Sequence, residues 1–333
     1  MILKSRAFSL ALLLAIAVMA PGVLKAQDAQ PMSETPLGGA GGGAKTGGGG
    51  VTGIAPGDVG GTTTGTAGPE AATFDGTYIW VASQFTDSVT RIRVSDGLTA
   101  GTFTVGKRPV AVLAAAGSVW VANLLSDNVT KLNPTTGAVS ATYAAGDGPG
   151  GLAFDGTNLW IANREGNSVT KMSTTGANLG TFPVGNRPLG VAVVGDAVFV
   201  VNNFSNSVTK LSLAGAVLGK YAVGRGPFGV AGEGANVWVT NYFDKTVTKL
   251  RAADGLNLGT FKVGDGASGV TFDGTFMWVV SNGDNNVMKL APSTGSIIST
   301  YATGKGPFAV VYDGAKIWVP NFASNSISST AAN

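Results

Sequence analysis

One aromatic position recurs along the chain at intervals of 39 or 40 residues. Six of its occurrences are Trp and one is Phe: Trp80, Trp120, Trp160, Phe199, Trp238, Trp278 and Trp318. The neighbouring sequence recurs with it, as in WVANLLSDNVTKL (120–132) and WIANREGNSVTKM (160–172). A period near 40 built from short strands and Gly-rich turns is typical of β-propeller blades. The spacing therefore predicts an all-β repeat fold.

Each period contains four predicted strands. In the third repeat these are GGLAF (150–154), NLWIAN (158–163), SVTKM (168–172) and GTFPV (180–184). They are rich in Val, Ile, Thr and aromatic residues, and turn residues separate them. Asp-Gly pairs at 75–76, 155–156, 273–274 and 313–314 lie between the first and second strands. Such pairs favour tight hairpins, so we expect four antiparallel strands in each blade.

The two ends of the repeat region complement each other. The chain ends 15 residues after Trp318, which is too soon for a fourth strand in the last repeat. Upstream, TTTGTAGPEAATFDG (62–76) aligns without gaps to TYAAGDGPGGLAFDG (142–156), so residues 62–66 correspond to a fourth strand without a blade of its own. We therefore predict a seven-bladed propeller over residues 62–333, with the last blade closed by an N-terminal strand.

Two segments precede the repeats. Residues 1–26 combine Lys4 and Arg6 with an apolar run at 8–20 and a small residue, Ala26, which predicts a signal peptide cleaved after Ala26; an uncleaved anchor is the alternative. We therefore expect a secreted or periplasmic protein without a membrane span after cleavage. Residues 27–61 are Gly-rich and predict a disordered linker, serving either as a tether or as a simple spacer.

Three repeats carry a recognisable motif in the second strand, namely WVAN (120–123), WIAN (160–163) and WVTN (238–241). Together with the NSVTK sequences that follow and the VG-x-x-P sequences before first strands, this resembles the YVTN β-propeller repeat family. The resemblance covers residues 62–333 and implies a seven-bladed fold without implying an activity. The repeats are also similar to the streptogramin (virginiamycin B) lyases. That family's chemistry uses a catalytic His, and this chain has no His, so lyase activity is not carried over.

The absence of His and Cys excludes several kinds of site. A zinc site of the usual kind, a disulfide framework, a thiol nucleophile and a Ser-His-Asp triad all require one of these residues. Asp284 in SNGDNN (281–286) lacks the further carboxylates that Ca²⁺ prefers. We therefore predict no metal site, no cofactor and no catalytic residues.

A residue that recurs in every blade is better explained by structure than by chemistry. The Trp position is predicted to pack between blades. The basic residue of the third strand is predicted to be structural or solvated; its members are Arg91, Lys131, Lys171, Lys210, Lys249 and Lys289.

Candidate binding residues lie where the blades differ, in the loops on one face of the propeller. The basic candidates are Lys107, Arg108, Arg164, Arg187, Arg225 and Lys305. The aromatic candidates are Phe85, Phe204, Tyr242, Phe243 and Phe322. The first interpretation is a ligand site over the channel mouth. The alternatives are that the basic residues are solvated turn residues and that the aromatic residues cap adjacent blades.

These features favour a monomeric binding or scaffold module that recognises a protein, peptide, glycan or anionic ligand. The alternative is a lyase or hydrolase that uses Asp, Glu, Lys or Tyr. The net charge of +3 invites a nucleic-acid partner, but Lys4, Arg6 and Lys25 all lie in the predicted signal peptide. Without that segment the chain has 19 basic and 19 acidic residues, and no nucleic-acid binding is expected.

Overall fold

Consecutive strands pair in chain order to form separate antiparallel sheets, each of which is one blade. The structure is a computed structural model, and it describes residues 62–63 and 67–332. The predicted signal peptide and linker lie outside the described residues. Within the described part of the chain, no helix is long and apolar enough to span a membrane.

The first three blades have these strands. Blade 1 contains β2 (Pro69–Phe74), β3 (Tyr78–Ser83), β4 (Ser88–Arg93) and β5 (Thr99–Thr104). Blade 2 contains β6 (Pro109–Ala115), β7 (Ser118–Asn123), β8 (Asn128–Leu132) and β9 (Val139–Ala144). Blade 3 contains β10 (Pro149–Phe154), β11 (Asn158–Asn163), β12 (Ser168–Ser173) and β13 (Asn178–Pro183).

The next three blades repeat the same order. Blade 4 contains β14 (Pro188–Val194), β15 (Ala197–Asn202), β16 (Ser207–Ser212) and β17 (Val217–Ala222), with a single 3₁₀ turn at Asn203–Ser205. Blade 5 contains β18 (Pro227–Glu233), β19 (Asn236–Asn241), β20 (Thr246–Arg251) and β21 (Asn257–Lys262). Blade 6 contains β22 (Ala267–Phe272), β23 (Met277–Ser281), β24 (Asn286–Leu290) and β25 (Ile297–Ala302).

Blade 7 joins the two ends of the propeller. It contains β26 (Val311–Tyr312), β27 (Lys316–Asn321) and β28 (Ser326–Ala331), and its fourth strand is β1 (Thr62–Thr63). Thr62 lies opposite Ile327 and Thr63 opposite Ser326. The prediction of seven blades of four antiparallel strands is therefore confirmed.

The recurrent Trp side chains are buried between neighbouring blades. Trp80 of blade 1, for example, packs with Val112, Val119 and Leu132 of blade 2. The indole N–H also finds a partner: Trp160 donates to Oδ2 of Asp155 at 2.8 Å, and three other blades repeat this bond with Asp75, Asp273 and Asp313. A buried indole needs such an acceptor, which explains the Asp of the Asp-Gly hairpins.

The recurrent basic residue of the third strand links each blade to the next. Lys171 lies opposite Trp160 in the strand register, and its Nζ is 5.4 Å from the Trp160 ring centroid. The same Nζ donates a 2.7 Å hydrogen bond to the carbonyl of Leu213 in blade 4. Equivalent hydrogen bonds to backbone carbonyls of the next blade are donated by Arg91, Lys131, Lys210, Lys249 and Lys289. Their recurrence therefore has a structural cause.

The Asn that ends the second strand is also structural. Asn163 is fully buried, and its Nδ2 donates to Ser168 Oγ and Thr170 Oγ1, both at 2.9 Å. Asn123, Asn241 and Asn321 make the same pair of bonds in their own blades. The motif that most clearly marks the repeat thus fixes the turn between the second and third strands.

Glycines bring the innermost strands close together around the central axis. A Cβ on Gly190 would lie 2.7 Å from the carbonyl oxygen of Phe228 in the next blade, and one on Gly269 would lie 2.8 Å from that of Phe308. Gly151 and Gly229 face the next blade's backbone in the same way. Because any larger residue would collide with this backbone, these positions set the narrow width of the channel.

Candidate functional site

The channel holds a cavity of about 210 Å³ between the innermost strands. Its wall is largely apolar, with contributions from Val110, Leu152, Leu189, Phe228 and Phe308. Two charged side chains also line it, Glu70 of β2 and Arg164 of the loop that follows β11. An apolar cavity with a few converging polar groups is the usual form of a small-molecule site.

Arg164 occupies the first position after the second strand of blade 3. Its backbone N–H donates to the Gly148 carbonyl at 2.8 Å, and only 9% of the residue is exposed. The buried Nε has no hydrogen-bond partner, and the guanidinium makes no hydrogen bond or ion pair with any described residue. Burial lowers the pKa of Arg164 to about 10. The side chain is therefore still a cation at neutral pH and has donors to offer.

Two further arginines come from the loops that enter blades 2 and 4. Arg108 and Arg187 have φ angles of 54° and 52°. The corresponding residue in the other five blades is glycine: Gly68, Gly148, Gly226, Gly266 and Gly306, all with positive φ. An L-residue in this left-handed region costs about 1 kcal/mol or more relative to glycine. At this repeat position, only blades 2 and 4 place a large cation in that strained conformation.

The two arginines are held differently. Arg108 Nε donates a buried 2.7 Å hydrogen bond to Oε1 of Gln84, so the side chain reaches towards blade 1. Arg187 lies over the Phe204 ring, and its buried Nε has no hydrogen-bond partner. Burial lowers the pKa of Arg187, while the nearby Glu165 carboxylate opposes this effect. Arg108 and Arg187 both lower the pKa of Arg164 through like charge, so the three cations are close neighbours.

Glu70 is the carboxylate within this cationic cluster. Its Oε2 is buried without a hydrogen-bond partner, and among the described residues no ion pair joins it to an arginine. Burial raises the pKa of Glu70, and the charges of Arg164 and Arg108 oppose that rise. Gln84 is only 2% exposed, and its Nε2 likewise lacks a partner. The site therefore contains both donors and an acceptor that the protein leaves unsatisfied.

Aromatic rings form the opposite side of the channel mouth, on blades 5, 7 and 1. Phe228 and Phe308 are stacked with centroids 5.9 Å apart, and Phe308 contacts Phe322 edge-on at 5.6 Å. The cluster continues from Phe322 to Phe85 at 5.3 Å and from Phe228 to Tyr242 at 6.2 Å. The three arginines thus come from blades 2, 3 and 4, and the aromatic cluster comes from blades 5, 7 and 1.

The structure separates the basic residues selected from sequence into two groups. Arg164 lines the channel cavity, and Arg108 and Arg187 lie close enough to lower its pKa. Lys107 and Arg225 instead form exposed ion pairs with Asp87 and Asp244, both at 2.6 Å. Lys305 is exposed, with its backbone N–H bonded to Ser324 Oγ.

The aromatic candidates are also divided. Phe85, Phe204 and Phe243 remain exposed at the rim, at 56%, 59% and 39%. Tyr242 and Phe322 are partly buried, and the Tyr242 hydroxyl donates to Asn282 Oδ1 at 3.2 Å. Both arrangements considered from sequence, exposed rim residues and local caps, therefore occur.

Sequence reasoning missed Glu70, Gln84, Phe228 and Phe308. Glu70, Phe228 and Phe308 share one repeat position, which lies two residues after the positive-φ residue that precedes the first strand. Across the blades this position holds Glu70, Val110, Gly150, Leu189, Phe228, Ser268 and Phe308. Comparing the repeats at that position would have identified Glu70 as its only charged member.

Among the described residues there is no group of three or more His, Cys, Asp or Glu side chains that could hold a metal ion.

Neither a protein-family model nor a curated protein sequence matches the chain.

The fold is similar to several solved structures. A streptogramin B lyase superposes with a TM-score of 0.70 at 16% identity, covering 79% of this chain and 93% of that one. A catalytically inactive virginiamycin B lyase from Staphylococcus aureus with quinupristin gives 0.73 at 16% identity, covering 83% and 99%. Hydrazine synthase from Kuenenia stuttgartiensis gives 0.70 at 18%, covering 81% and 97%. At these identities the similarity shows the fold alone.

Proposed function

We propose that this chain is a binding module that holds a small anionic ligand at the channel mouth through Arg108, Arg164 and Arg187. The observation that carries the proposal is Arg164, a cation that is nine-tenths buried without a hydrogen bond or ion pair to any described residue. Leaving a buried charge unsatisfied costs several kcal/mol. An anionic ligand would supply the missing acceptor.

Backbone geometry gives independent support. Arg108 and Arg187 keep a left-handed conformation that glycine adopts at the same position of the other blades. Strain of this kind is concentrated at binding and catalytic sites, because surrounding structure must enforce it. Both strained residues flank Arg164, so the strain and the unsatisfied cation coincide.

The remaining sequence expectations form part of the same proposal. The repeat motif supports a relationship to YVTN-type propellers, and residues 1–26 support export to the periplasm or the medium. A rigid closed array would then present preorganised loops to a ligand, with little conformational change on binding.

A second candidate function is a lyase or hydrolase, and Glu70 is the observation that favours it. A buried carboxylate with a raised pKa in a cavity is a candidate general acid or base. Incubating the protein with candidate esters, lactones and glycosides tests this function. Turnover that is lost in Glu70→Gln would support it over simple binding.

The binding proposal is tested by isothermal titration calorimetry of the full chain with acetate and with sulfate. Arg164→Met keeps the volume of the buried side chain and removes its charge. We expect it to weaken anion binding at least about tenfold, since hydrogen bonds to charged groups contribute about 1.5–3 kcal/mol.

Arg225→Met is the matched control, because it removes an arginine on the same face that is already paired with Asp244. It should bind as the unmodified protein does. Equal binding by the unmodified protein and Arg164→Met, or no binding of either anion by the folded protein, would contradict the proposal.

A further inference from the structure

The cavity presents two unsatisfied groups of opposite charge. Arg164 Nε offers a donor and Glu70 Oε2 offers an acceptor; both atoms are buried, and both residues line the same cavity. No hydrogen bond or ion pair among the described residues joins the two side chains. A ligand that satisfied only one of them would leave the other without a partner.

A simple anion satisfies only the cationic part of this arrangement. It would supply an acceptor to the arginines but would bring a second negative charge close to Glu70. Like charges in a cavity of low dielectric repel strongly, and the buried carboxylate would still lack a donor. A ligand that also carries a positively charged donor would remove both penalties.

The size and the walls of the cavity limit the rest of the ligand. Benzene occupies an apolar cavity of about 150 Å³ in an engineered protein. A cavity of about 210 Å³ therefore accepts a somewhat larger molecule. The wall beside the charged pair consists of Val110, Leu152 and Leu189 and of the stacked Phe228 and Phe308. This environment favours an aliphatic or aromatic substituent.

We infer that the site takes a small zwitterionic acid, namely an α-amino acid with an apolar side chain of about the size of leucine. The arginines bind its carboxylate, Glu70 binds its ammonium group, and its side chain lies against the apolar wall. This inference rests on the proposed function and names the ligand class for that same site.

The test is calorimetric titration of the full chain with four molecules that share a 3-methylbutyl group. Leucine carries both charges, 2-hydroxy-4-methylpentanoate carries the carboxylate and a neutral donor, 4-methylpentanoate carries only the carboxylate, and 3-methylbutylamine carries only the ammonium group. We expect leucine to bind at least about tenfold more tightly than either singly charged molecule, with the hydroxy acid in between.

Glu70→Gln tests the assigned partner of the ammonium group. It should reduce the difference in affinity between leucine and 4-methylpentanoate to less than about threefold. Arg225→Met should keep the full difference.

The outcomes separate this inference from the proposed function. If 4-methylpentanoate binds as tightly as leucine and Arg164→Met abolishes both, the zwitterion is overturned and anion binding stands. Tighter binding of the hydroxy acid than of leucine also overturns the zwitterion. If no acid binds to the folded protein, both proposals fall.

Discussion

The guanidinium of Arg187 lies over the ring of Phe204, with 4.6 Å between Cζ and the ring centroid. Both residues belong to blade 4: Arg187 precedes β14, and Phe204 lies in the 3₁₀ turn after β15. The ring supports the cation while Nε remains without a hydrogen-bond partner. Stacking therefore orients Arg187 at the channel mouth without using the donors that a ligand needs.

Replacing Arg187 with Gly and with Ala separates the cost of its backbone from the function of its side chain. Both variants lose the cation, but only glycine adopts a φ of 52° without strain. We expect Arg187→Gly to be about 1 kcal/mol more stable than Arg187→Ala in urea denaturation, and both to bind acetate more weakly. Equal stability of the two variants would show that this position is not strained.

Gly151 and Gly150 are adjacent but differ in what a side chain would meet. A Cβ on Gly151 would overlap the carbonyl oxygen of Leu189, which is backbone of the next blade. A Cβ on Gly150 would lie 3.3 Å from Arg164 Nε, which belongs to a flexible side chain. Thermal unfolding should show a loss of about 1–3 kcal/mol for Gly151→Ala and little change for Gly150→Ala. A similar loss for both would contradict the role of close strand approach.

Lys171→Met tests the link between blades 3 and 4. The variant keeps the apolar stem but loses the bond to the Leu213 carbonyl and the contact with the Trp160 ring. We expect a loss of about 1–2 kcal/mol in the free energy of unfolding. Lys220→Met is the control, because Lys220 is exposed on the outer strand and has no such bond. The link contributes nothing if the two variants are equally stable.

Asp155 makes stability depend on pH. Burial by itself would raise the pKa of Asp155, but hydrogen bonds from the Asn158 N–H, the Trp160 indole and the Thr157 N–H outweigh it and hold the pKa below its usual range. A pKa lowered by folding contributes stability that is complete above the unfolded value of about 3.9 and is lost as pH falls through the folded value.

Asp155→Asn should therefore be less stable than the unmodified protein at neutral pH, by about 1–2 kcal/mol, and the difference should shrink below about pH 4. Urea denaturation at several pH values measures this. Asp196→Asn is the control, since Asp196 lies in the hairpin of blade 4, where Phe199 has no indole to bind it. A difference that did not change with pH would refute the assignment.

The repeated part of the fold could be predicted because its causes are local and occur several times. The Trp, the Asp of the hairpin, the Asn after the second strand and the Lys of the third strand each make one contact that is copied from blade to blade. Their spacing gave the strands, the number of blades and the closing strand. The candidate site does not repeat, so periodicity could indicate the face on which it lies but not its members.

Lys107 and Arg108 illustrate why the members of the site could not be predicted from periodicity. They are adjacent and both basic, yet Lys107 pairs with Asp87 at the surface and Arg108 bonds Gln84 at the channel mouth. Their partners lie 20 and 24 residues away in blade 1. The sequence alone determined seven blades and the hydrogen-bonded residues that hold them together. Only the tertiary structure decided that Glu70 and Arg164 line one cavity with Arg108 and Arg187 nearby, because those side chains come from different blades and meet only when the blades pack around the axis.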